Sequence, residues 1–150
     1  MRIVMGSDHG GVQLKAELVK YLVSLGHEPI DIGTHGSEAV DYPDFAFMVA
    51  GAVATGEFSR GIMIDGAGIG SSMVANKLPG VRAALANDLY AARNSREHND
   101  ANLLTLGARV IGVGLAQEIV RVWLNTDFDP RHQKRIDKIL HIEAQLFHRR

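Results

Sequence analysis

Residues 61–72 read GIMIDGAGIGSS, and this stretch decides the fold that the rest of the sequence must fit. A short apolar run ends in Asp65 and is followed by three alternating glycines, a layout typical of a strand that turns directly into a helix. Such a turn exposes successive backbone N–H groups, which can hold a phosphate or a developing oxyanion. Asp65 is then either a catalytic carboxylate or the cap of the following helix.

Short apolar runs alternate with stretches of helical periodicity along the whole chain. Strand-like runs cover about residues 2–6, 29–33, 61–64, 80–85 and 103–106, and a helix-period stretch follows each of them. Parallel strands need such crossover helices, so the pattern predicts an α/β fold with a doubly wound, parallel sheet of five strands. In sheets of this class, ligands bind outside the carboxyl ends of the strands.

Three polar motifs are expected at those carboxyl ends: residues 7–11, residues 65–72 and residues 97–100. Each motif also has a purely structural interpretation. Asp8 could cap the first helix and His9 could be a surface imidazole. The sequence Glu-His-Asn-Asp at 97–100 equally fits a solvated helix end. A functional role for any one motif therefore depends on the others lying nearby.

Composition excludes several classes of function. The 150 residues fit one domain, and 16 Lys plus Arg against 17 Asp plus Glu give a net charge of −1. This balance offers no field that would collect nucleic acid or an anionic membrane. The chain has no cysteine, which rules out disulfides, thiolate zinc sites and a thiol nucleophile. No apolar run approaches the roughly 20 residues that cross a bilayer, and we expect a cytoplasmic protein.

The glycine turn does not match the two common nucleotide motifs. Its spacing is G-x-G-x-G-S, whereas dinucleotide folds carry G-x-G-x-x-G and phosphate loops carry G-x-x-x-x-G-K followed by Ser or Thr. Asp88, 20 residues after Gly68, leaves the dinucleotide interpretation open. His9 and His98 lack the spacing of metal-ligand motifs, so we predict no metal site.

The last segment, residues 130–147, is predicted to be a charged helix beyond the α/β unit. Arg131 and Arg135 are four apart on one face, where they could clamp a phosphate or could simply be exposed. The helix as a whole is expected to pack through its apolar face, either on a partner subunit, giving a homodimer, or on its own domain. The apolar face of the segment consists of Ile136, Ile139, Leu140, Ile142 and Leu146.

The motifs together resemble one family along nearly the whole chain. The stretches GSDHGG, DYPDFA, GAGIGSSMVANKLPGVRAAL, SREHNDANLLTLGARVIG and RHQKRIDKI, in this order, are similar to the signatures of the type B ribose-5-phosphate isomerases. The wider family includes allose-6-phosphate and galactose-6-phosphate isomerases. The resemblance implies a Rossmann-like three-layer α/β/α sandwich, with a further C-terminal helix. It also implies a homodimer or tetramer with active sites shared across the interface, and isomerisation without a cofactor.

By this resemblance, residues from several motifs would handle the sugar. His98 would help to open the sugar ring, and Asp8 and Tyr42 would contact the sugar hydroxyls. Asn99 would hold the enediolate oxygens together with N–H groups of the glycine turn. The turn positions are Gly66, Gly68, Gly70 and Ser71.

The phosphate would be held by His9, Arg131 and Arg135, with Arg109 contributed by the other subunit. The interpretation from the motifs agrees with these roles. It expects a base, an oxyanion holder and a clamp of cations at the same edge of the sheet.

Two positions depart from the family pattern. Most members carry a turn resembling C-G-T-G-I-G, whose cysteine moves the proton between C2 and C1, and Asp65 stands in that place here. Another branch uses a glutamate at the place of Ser71, and the threonine of the pattern is Ala67 in this chain. An aspartate is ionised at neutral pH without activation, since model peptides titrate at about 3.9 for Asp and about 8.5 for Cys. We therefore interpret Asp65 as the catalytic base.

The expected reaction is the conversion of ribose 5-phosphate to ribulose 5-phosphate through an enediolate. The altered turn leaves other substrates open, namely allose 6-phosphate, galactose 6-phosphate, or a four-carbon or deoxy sugar phosphate. A homologue that binds a sugar phosphate without turning it over is a further alternative.

Overall fold

Five parallel strands form the sheet that the apolar runs predict. The computed structural model describes residues 1–147. Within them the strands are β1 (Arg2–Ser7), β2 (Glu28–Asp31), β3 (Gly61–Asp65), β4 (Ala83–Leu85) and β5 (Leu103–Gly107). Their order across the sheet is β2-β1-β3-β5-β4, and every neighbouring pair is parallel. The predicted α/β fold is confirmed.

Helices cover both faces of this sheet. In chain order they are α1 (Val12–Ser24), α2 (Tyr42–Ala54), α3 (Ile69–Ala75), α4 (Leu89–Glu97), α5 (Val113–Asn125) and α6 (Gln133–Phe147). Short 3-10 turns, at His9–Gly11 and Pro130–His132, lead into α1 and α6. Helices α1, α4 and α5 pack on one face, and α2 and α3 pack on the other. The result is the three-layer sandwich that the resemblance implies.

The central strand β3 is buried along its whole length because helices cover both of its faces. Side chains alternate between the faces of a strand. Ile62 and Ile64 accordingly pack with α1 and α5, whereas Met63 packs with α2 and α3. Asp65, the last residue of β3, is 4 % exposed. Its position is therefore fixed by the core.

The strand order reverses at β1 and β3. The chain leaves β1 for its neighbour β2 and then returns across β1 to β3. Such a reversal opens a crevice at the carboxyl ends of the two central strands. Ser7 and Ile64 are paired near those ends, and the Asp8 N–H donates to the Ile64 carbonyl at 3.1 Å. Asp8 and Asp65 therefore lie side by side at the crevice.

Residues 97–100 do not lie at this carboxyl edge, so that prediction is wrong. Helix α4 begins after the carboxyl end of β4 and, as a crossover helix, returns the chain to the amino edge of the sheet. The Gly61 N–H donates to the Asn102 carbonyl at 3.0 Å. The Arg82 N–H donates to the Asn102 side chain at 2.8 Å. Because Gly61 begins β3 and Arg82 immediately precedes β4, the segment lies at the amino edge.

Most of α6 lies outside the core of its own chain. Within this helix Ile136 is the only buried residue. A groove of about 770 Å³ lies between α6 and residues 81–84. The exposed apolar residues of α6 are Ile139, Leu140, Ile142, Leu146 and Phe147. Across residues 1–147, no helix combines the length and the apolar character needed to span a membrane.

Candidate active site

The glycine turn encloses the carboxylate of Asp65. Its Oδ1 accepts the N–H groups of Gly68 and, at 3.0 Å, Ala67. Its Oδ2 accepts the Ser71 N–H at 3.1 Å and the Ser71 hydroxyl at 2.5 Å. An ionised carboxylate offers about four lone-pair sites, and all of them are occupied here. Asp65 therefore holds the turn in shape, which is the capping role that the sequence left open.

Other N–H groups of the turn remain available. Among the described residues, no acceptor binds the N–H groups of Gly66, Ile69 and Gly70. Unpaired backbone N–H groups in such a turn can stabilise an oxyanion. The N–H groups of Gly68 and Ser71, which the resemblance assigned to the enediolate, are instead taken by Asp65. The assignment is corrected at these two positions.

Two of the glycines are required for different reasons. Gly68 has a φ of +80°, and a β-carbon there would lie 2.5 Å from Leu85 Cδ1. Gly70 lies directly beneath the ring of Tyr42, and an added β-carbon would overlap that ring. Tyr42, 38 % exposed, therefore covers one side of the turn and presents its hydroxyl there.

Asp8 and His9 lie beside the turn. Oδ1 of Asp8 accepts the N–H groups of Gly10 and Gly11 at 2.9 and 3.1 Å, so Asp8 caps the 3-10 turn. Its Oδ2 has no partner among the described residues. The Val40 N–H donates to Nδ1 of His9 at 3.2 Å, which leaves Nε2 as the donor of this exposed ring. Both side chains thus keep one polar atom for a ligand.

Arg109 completes the polar residues of this edge. Its N–H donates to the Gly66 carbonyl at 3.0 Å, and its side chain passes beside Gly66. Arg109 is exposed and supplies a cation next to the turn. The carboxyl-edge group is the set of Asp8, His9, Tyr42, residues 65–71 and Arg109.

Two polar residues that the sequence did not single out support the turn. The buried Thr105 hydroxyl donates to the Gly68 carbonyl at 2.7 Å. The Asn87 side chain donates to the Ala67 carbonyl at 3.1 Å and accepts the Gly107 N–H at 2.9 Å. The sequence signal for Thr105 is that a threonine stands inside the apolar run LLTLG, in a buried strand where apolar residues are usual.

An ion pair between a buried lysine and a half-buried aspartate fixes the loop next to Asp8. Lys15, 1 % exposed, donates to Asp31 and to the Thr34 carbonyl, at 2.6 Å in both cases. The loop is also tied to the end of β1, because the Ser7 N–H donates to the Gly33 carbonyl at 2.8 Å. A lysine on the apolar face of α1 was the sequence signal for this pair.

The amino edge carries a second polar cluster. The rings of His98 and His132 stack, with centroids 3.9 Å apart and planes inclined by 24°. Arg135 contacts Nδ1 of His132 at 2.7 Å. Arg131 binds the Asp129 carboxylate, and these hydrogen bonds lower the pKa of Asp129 to about 2 and raise that of Arg131. A phosphate would have to share Arg131 with Asp129.

Asn99 is exposed beside a clamp of two arginines. The Arg82 Nε donates to the carbonyls of Asn99 and Asp100, at 3.2 and 3.0 Å. The Asp100 carboxylate accepts from Arg82 at 3.1 Å and from Arg96 at 2.8 Å. These contacts hold Asp100 at a φ of +45°, which is uncommon for a residue other than glycine. The amino-edge group is the set of His98, Asn99, Arg131, His132 and Arg135.

The length of a strand separates the two groups. The five residues of β3 span roughly 15 Å at about 3.3 Å per residue, whereas a hydrogen bond spans about 3 Å. One chain cannot therefore bring Asp65 and His98 to the same atoms of a small ligand. The expectation that base, oxyanion holder and clamp share one sheet edge is wrong for a single chain. Within residues 1–147, no set of three or more His, Cys, Asp or Glu residues is arranged to hold a metal ion.

Comparisons with known proteins agree with this architecture. The family model described as Ribose/Galactose Isomerase matches residues 3–139. Ribose-5-phosphate isomerase B of Escherichia coli is 48 % identical over 145 residues, which cover 96 % of this chain and 97 % of that protein.

Solved structures give the same result. Ribose-5-phosphate isomerase B of Clostridium thermocellum aligns with a TM-score of 0.94 and 54 % identity, covering 97 % of this chain and 99 % of that one. The Mycoplasma genitalium enzyme of the same name, solved with bound ribulose-5-phosphate, aligns with a TM-score of 0.92 and 39 % identity, covering 95 % of this chain and 96 % of that one.

Proposed function

This chain belongs to the ribose/galactose isomerase family, and we propose that it interconverts an aldose phosphate and a ketose phosphate. Ribose 5-phosphate and ribulose 5-phosphate are the proposed pair, because similar proteins along nearly the whole chain carry that name. The proposal rests on how the backbone N–H groups of the glycine turn are divided between Asp65 and a ligand. Asp65 binds the N–H groups of residues 67, 68 and 71, and those of residues 66, 69 and 70 remain for a ligand oxyanion.

The reaction needs a base and a site for negative charge. A base removes the proton from C2 of the open-chain aldose, which leaves an enediolate, and the proton is returned to C1. The hydroxyl proton moves from O2 to O1, so the C1 carbonyl is reduced while C2 is oxidised, without any external oxidant. The unpaired N–H groups of Gly66, Ile69 and Gly70 would stabilise the enediolate as its charge develops. The proposal thus includes catalysis without a metal or cofactor.

We assign the proton transfer to Oδ2 of Asp65. This oxygen has no lone pair to spare while the Ser71 hydroxyl donates to it. A hydroxyl rotates without any movement of the backbone, so Ser71 is the partner that can turn towards a substrate hydroxyl. Oδ2 would then accept the C2 proton, while the remaining N–H donors keep the carboxylate aligned. One residue would serve both as the cap of the turn and as the base.

A complete site would require two copies of the chain. We propose a homodimer in which the carboxyl-edge group of one subunit faces the amino-edge group of its partner. Ring opening by His98 and a hydrogen bond from Asn99 would then reach the sugar bound at the turn. Arg131 and Arg135 would share the phosphate with His9 and Arg109. The strand-length separation of the two groups supports this arrangement, and a tetramer would pair two such dimers.

The exposed face of α6 supports the same proposal. Apolar residues such as Ile142, Leu146 and Phe147 are left without cover on their own chain, next to the groove over residues 81–84. A second subunit would bury this face, whereas a monomer would leave it in water. We therefore assign α6 and the groove to the dimer interface of a protein with a single domain. A cytoplasmic location also remains a prediction.

A panel of sugar phosphates tests the proposed reaction. Ribose 5-phosphate is expected to yield ribulose 5-phosphate faster than allose 6-phosphate, galactose 6-phosphate or erythrose 4-phosphate yields its ketose, as measured by proton NMR. The matched control is 2-deoxyribose 5-phosphate, which carries the same phosphate but has no C2 hydroxyl to become a carbonyl. Turnover should persist after dialysis against EDTA. Faster turnover of another sugar would reassign the substrate and keep the reaction type.

One observation favours a second candidate function. Ala67 and Asp65 replace the threonine and cysteine that the resemblance leads one to expect in the turn. A homologue that only binds a sugar phosphate would show saturable binding of every panel member by calorimetry, and no ketose from any of them. That result would exclude the isomerase and favour the binding protein.

A further inference from the structure

His132 is the residue that links two members of the amino-edge group. Its ring stacks on His98 with the centroids 3.9 Å apart, and both side chains are half-buried. A ring held against a parallel neighbour cannot turn freely about its own bonds, so the stack restricts the plane of the His98 imidazole. The direction in which His98 points its nitrogens is therefore set partly by His132.

Arg135 in turn fixes the state of the His132 ring. The distance between Arg135 Nη1 and His132 Nδ1 is 2.7 Å. A guanidinium has donors and no acceptor, so Nδ1 must accept this hydrogen bond and carries no proton. The proton of the neutral ring is then on Nε2. His98 therefore stacks on a ring whose tautomer is set by Arg135.

The backbone around His132 is attached to the end of α4. The Asp129 N–H donates to the Glu97 carbonyl at 2.9 Å, and the His132 N–H donates to the Asp129 carbonyl at 3.0 Å. These bonds hold the 3-10 turn against the residue that precedes His98. The stack is thus built by two separate segments of the chain that are joined at this point.

We propose that His132 is a positioning residue for ring opening, and that it acts by orienting His98; this inference rests on the proposed isomerase function. Ring opening breaks the bond between C1 and the ring oxygen and forms the C1 carbonyl. His98 takes the proton of the C1 hydroxyl and delivers a proton to the ring oxygen, so no electrons enter or leave. Both transfers require the imidazole nitrogens to point at two oxygens of the same sugar.

The test compares a cyclic with an open-chain substrate. Ribose 5-phosphate is mainly a furanose, whereas ribulose 5-phosphate cannot close a furanose ring because its O5 carries the phosphate. We expect His132→Ala to lower kcat/KM for ribose 5-phosphate by about tenfold or more. Exchange of the C1 proton of ribulose 5-phosphate with D2O, which needs the enediolate but no ring opening, should change by less than about threefold.

Two further variants separate orientation from the mere presence of a histidine. His132→Phe keeps an aromatic ring against His98 and should recover a large part of the forward rate. His27→Ala is the matched control, since His27 contacts the amino terminus and no member of the amino-edge group, and it should leave both rates unchanged. Equal losses in the two reactions, or no loss in either, would overturn the proposal.

A measurement without turnover keeps the proposal distinct from the proposed function. Loss of a stacked ring removes its ring current, so the His98 Hε1 resonance should shift downfield in His132→Ala and much less in His132→Phe. An unchanged resonance would contradict the stacking role even if the wild-type protein turned over no sugar. If the wild-type protein neither turns over the sugar nor exchanges the proton, the isomerase function fails, and the resonance alone decides the positioning role.

Discussion

The two polar groups of this chain are built in opposite ways. The carboxyl-edge group is made largely of backbone at the end of the central strand, where Asp65, Gly68 and Ser71 are buried and Ile69 alone of residues 65–71 is exposed. The amino-edge group is made of side chains that project from the end of α4 and from residues 131–135, at the start of α6. The first group is shaped by the core of one domain, whereas the second is shaped by contacts among its own side chains. Each can therefore be perturbed without the other.

Asp65→Asn should have the largest effect. The amide cannot take a proton from C2, so kcat for ribose 5-phosphate should fall by about 10³-fold, within the usual range for removing a general base. Binding of inorganic phosphate, measured by calorimetry, should persist.

Asp88→Asn is the matched control for Asp65→Asn, because Asp88 also accepts a backbone N–H, that of Ala91 at 2.7 Å, but caps a different helix. Its kcat should stay close to that of the wild type. Full turnover by Asp65→Asn would leave Asp65 with its capping role alone.

Mixing two inactive variants tests whether the groups meet across an interface. Asp65→Asn lacks one group and His98→Asn lacks the other, so each homodimer should be nearly inactive. After unfolding together and refolding at equal amounts, half of the dimers should be hybrids with one intact site each. Activity should then recover to about a quarter of the wild-type value.

Refolded Asp65→Asn mixed with a double variant, Asp65→Asn with His98→Asn, is the control for the mixing experiment and should stay inactive. If the first mixture also gains nothing, the two groups do not form a shared site.

Gly68→Ala should affect stability more than any comparable change in the amino-edge group. The left-handed φ and the contact with Leu85 should together cost about 2–4 kcal/mol in the free energy of unfolding, measured with urea. Gly66→Ala is the control, because the atom nearest to an added β-carbon is 3.8 Å away, on Arg109. The cost there should stay below about 1 kcal/mol. Equal costs would show that the turn is not held by its backbone conformation.

Lowering the pH is expected to have the smallest effect, a local loosening of the turn at residues 129–132. The pKa of Asp129 is lowered from 3.8 to about 2 by its hydrogen bonds with Arg131. A group whose folded pKa is depressed stabilises the fold above its unfolded pKa and loses that contribution as the pH falls through the folded value. The turn at residues 129–132 should therefore loosen between about pH 4 and pH 2, as followed by the resonances of His132.

Asp129→Asn should abolish this change in the His132 resonances. Glu118→Gln is the control for the acid experiment, because it removes an exposed ion pair with Arg121 on α5, elsewhere on the chain. The transition of His132 should be unaltered in that variant.

Most of the fold was predictable because it depends on local patterns. The apolar runs mark the strands, and buried parallel strands need residues such as Ile62, Met63 and Ile64 on both faces. The fourth strand is shorter than residues 80–85 because Gly80 adopts a left-handed φ and Arg82 is engaged by Asn102. Contacts of that kind join residues 20 apart and leave no periodic trace.

The sequence predicted which residues form the site better than it predicted where in the fold they lie. The turn around Asp65 could be identified because glycine spacing is a local signal, and the other members followed from the resemblance. Spacing along the chain does not say at which end of a strand a motif lies, so His98 was expected at the wrong edge. His132, Thr105 and Lys15 were missed as contributors because their roles arise from tertiary contacts.

The buried carboxylate of Asp65 also determines how the turn responds to oxidants. A thiolate in this place, as the resemblance leads one to expect, would be converted by peroxide to sulfenic and then to sulfinic acid. A carboxylate cannot follow that course, and the chain contains no cysteine elsewhere. The four hydrogen bonds of Asp65 would therefore survive oxidative stress that disables a thiol in the same position. An aspartate in place of a cysteine at position 65 thus makes the turn insensitive to the redox state of its surroundings.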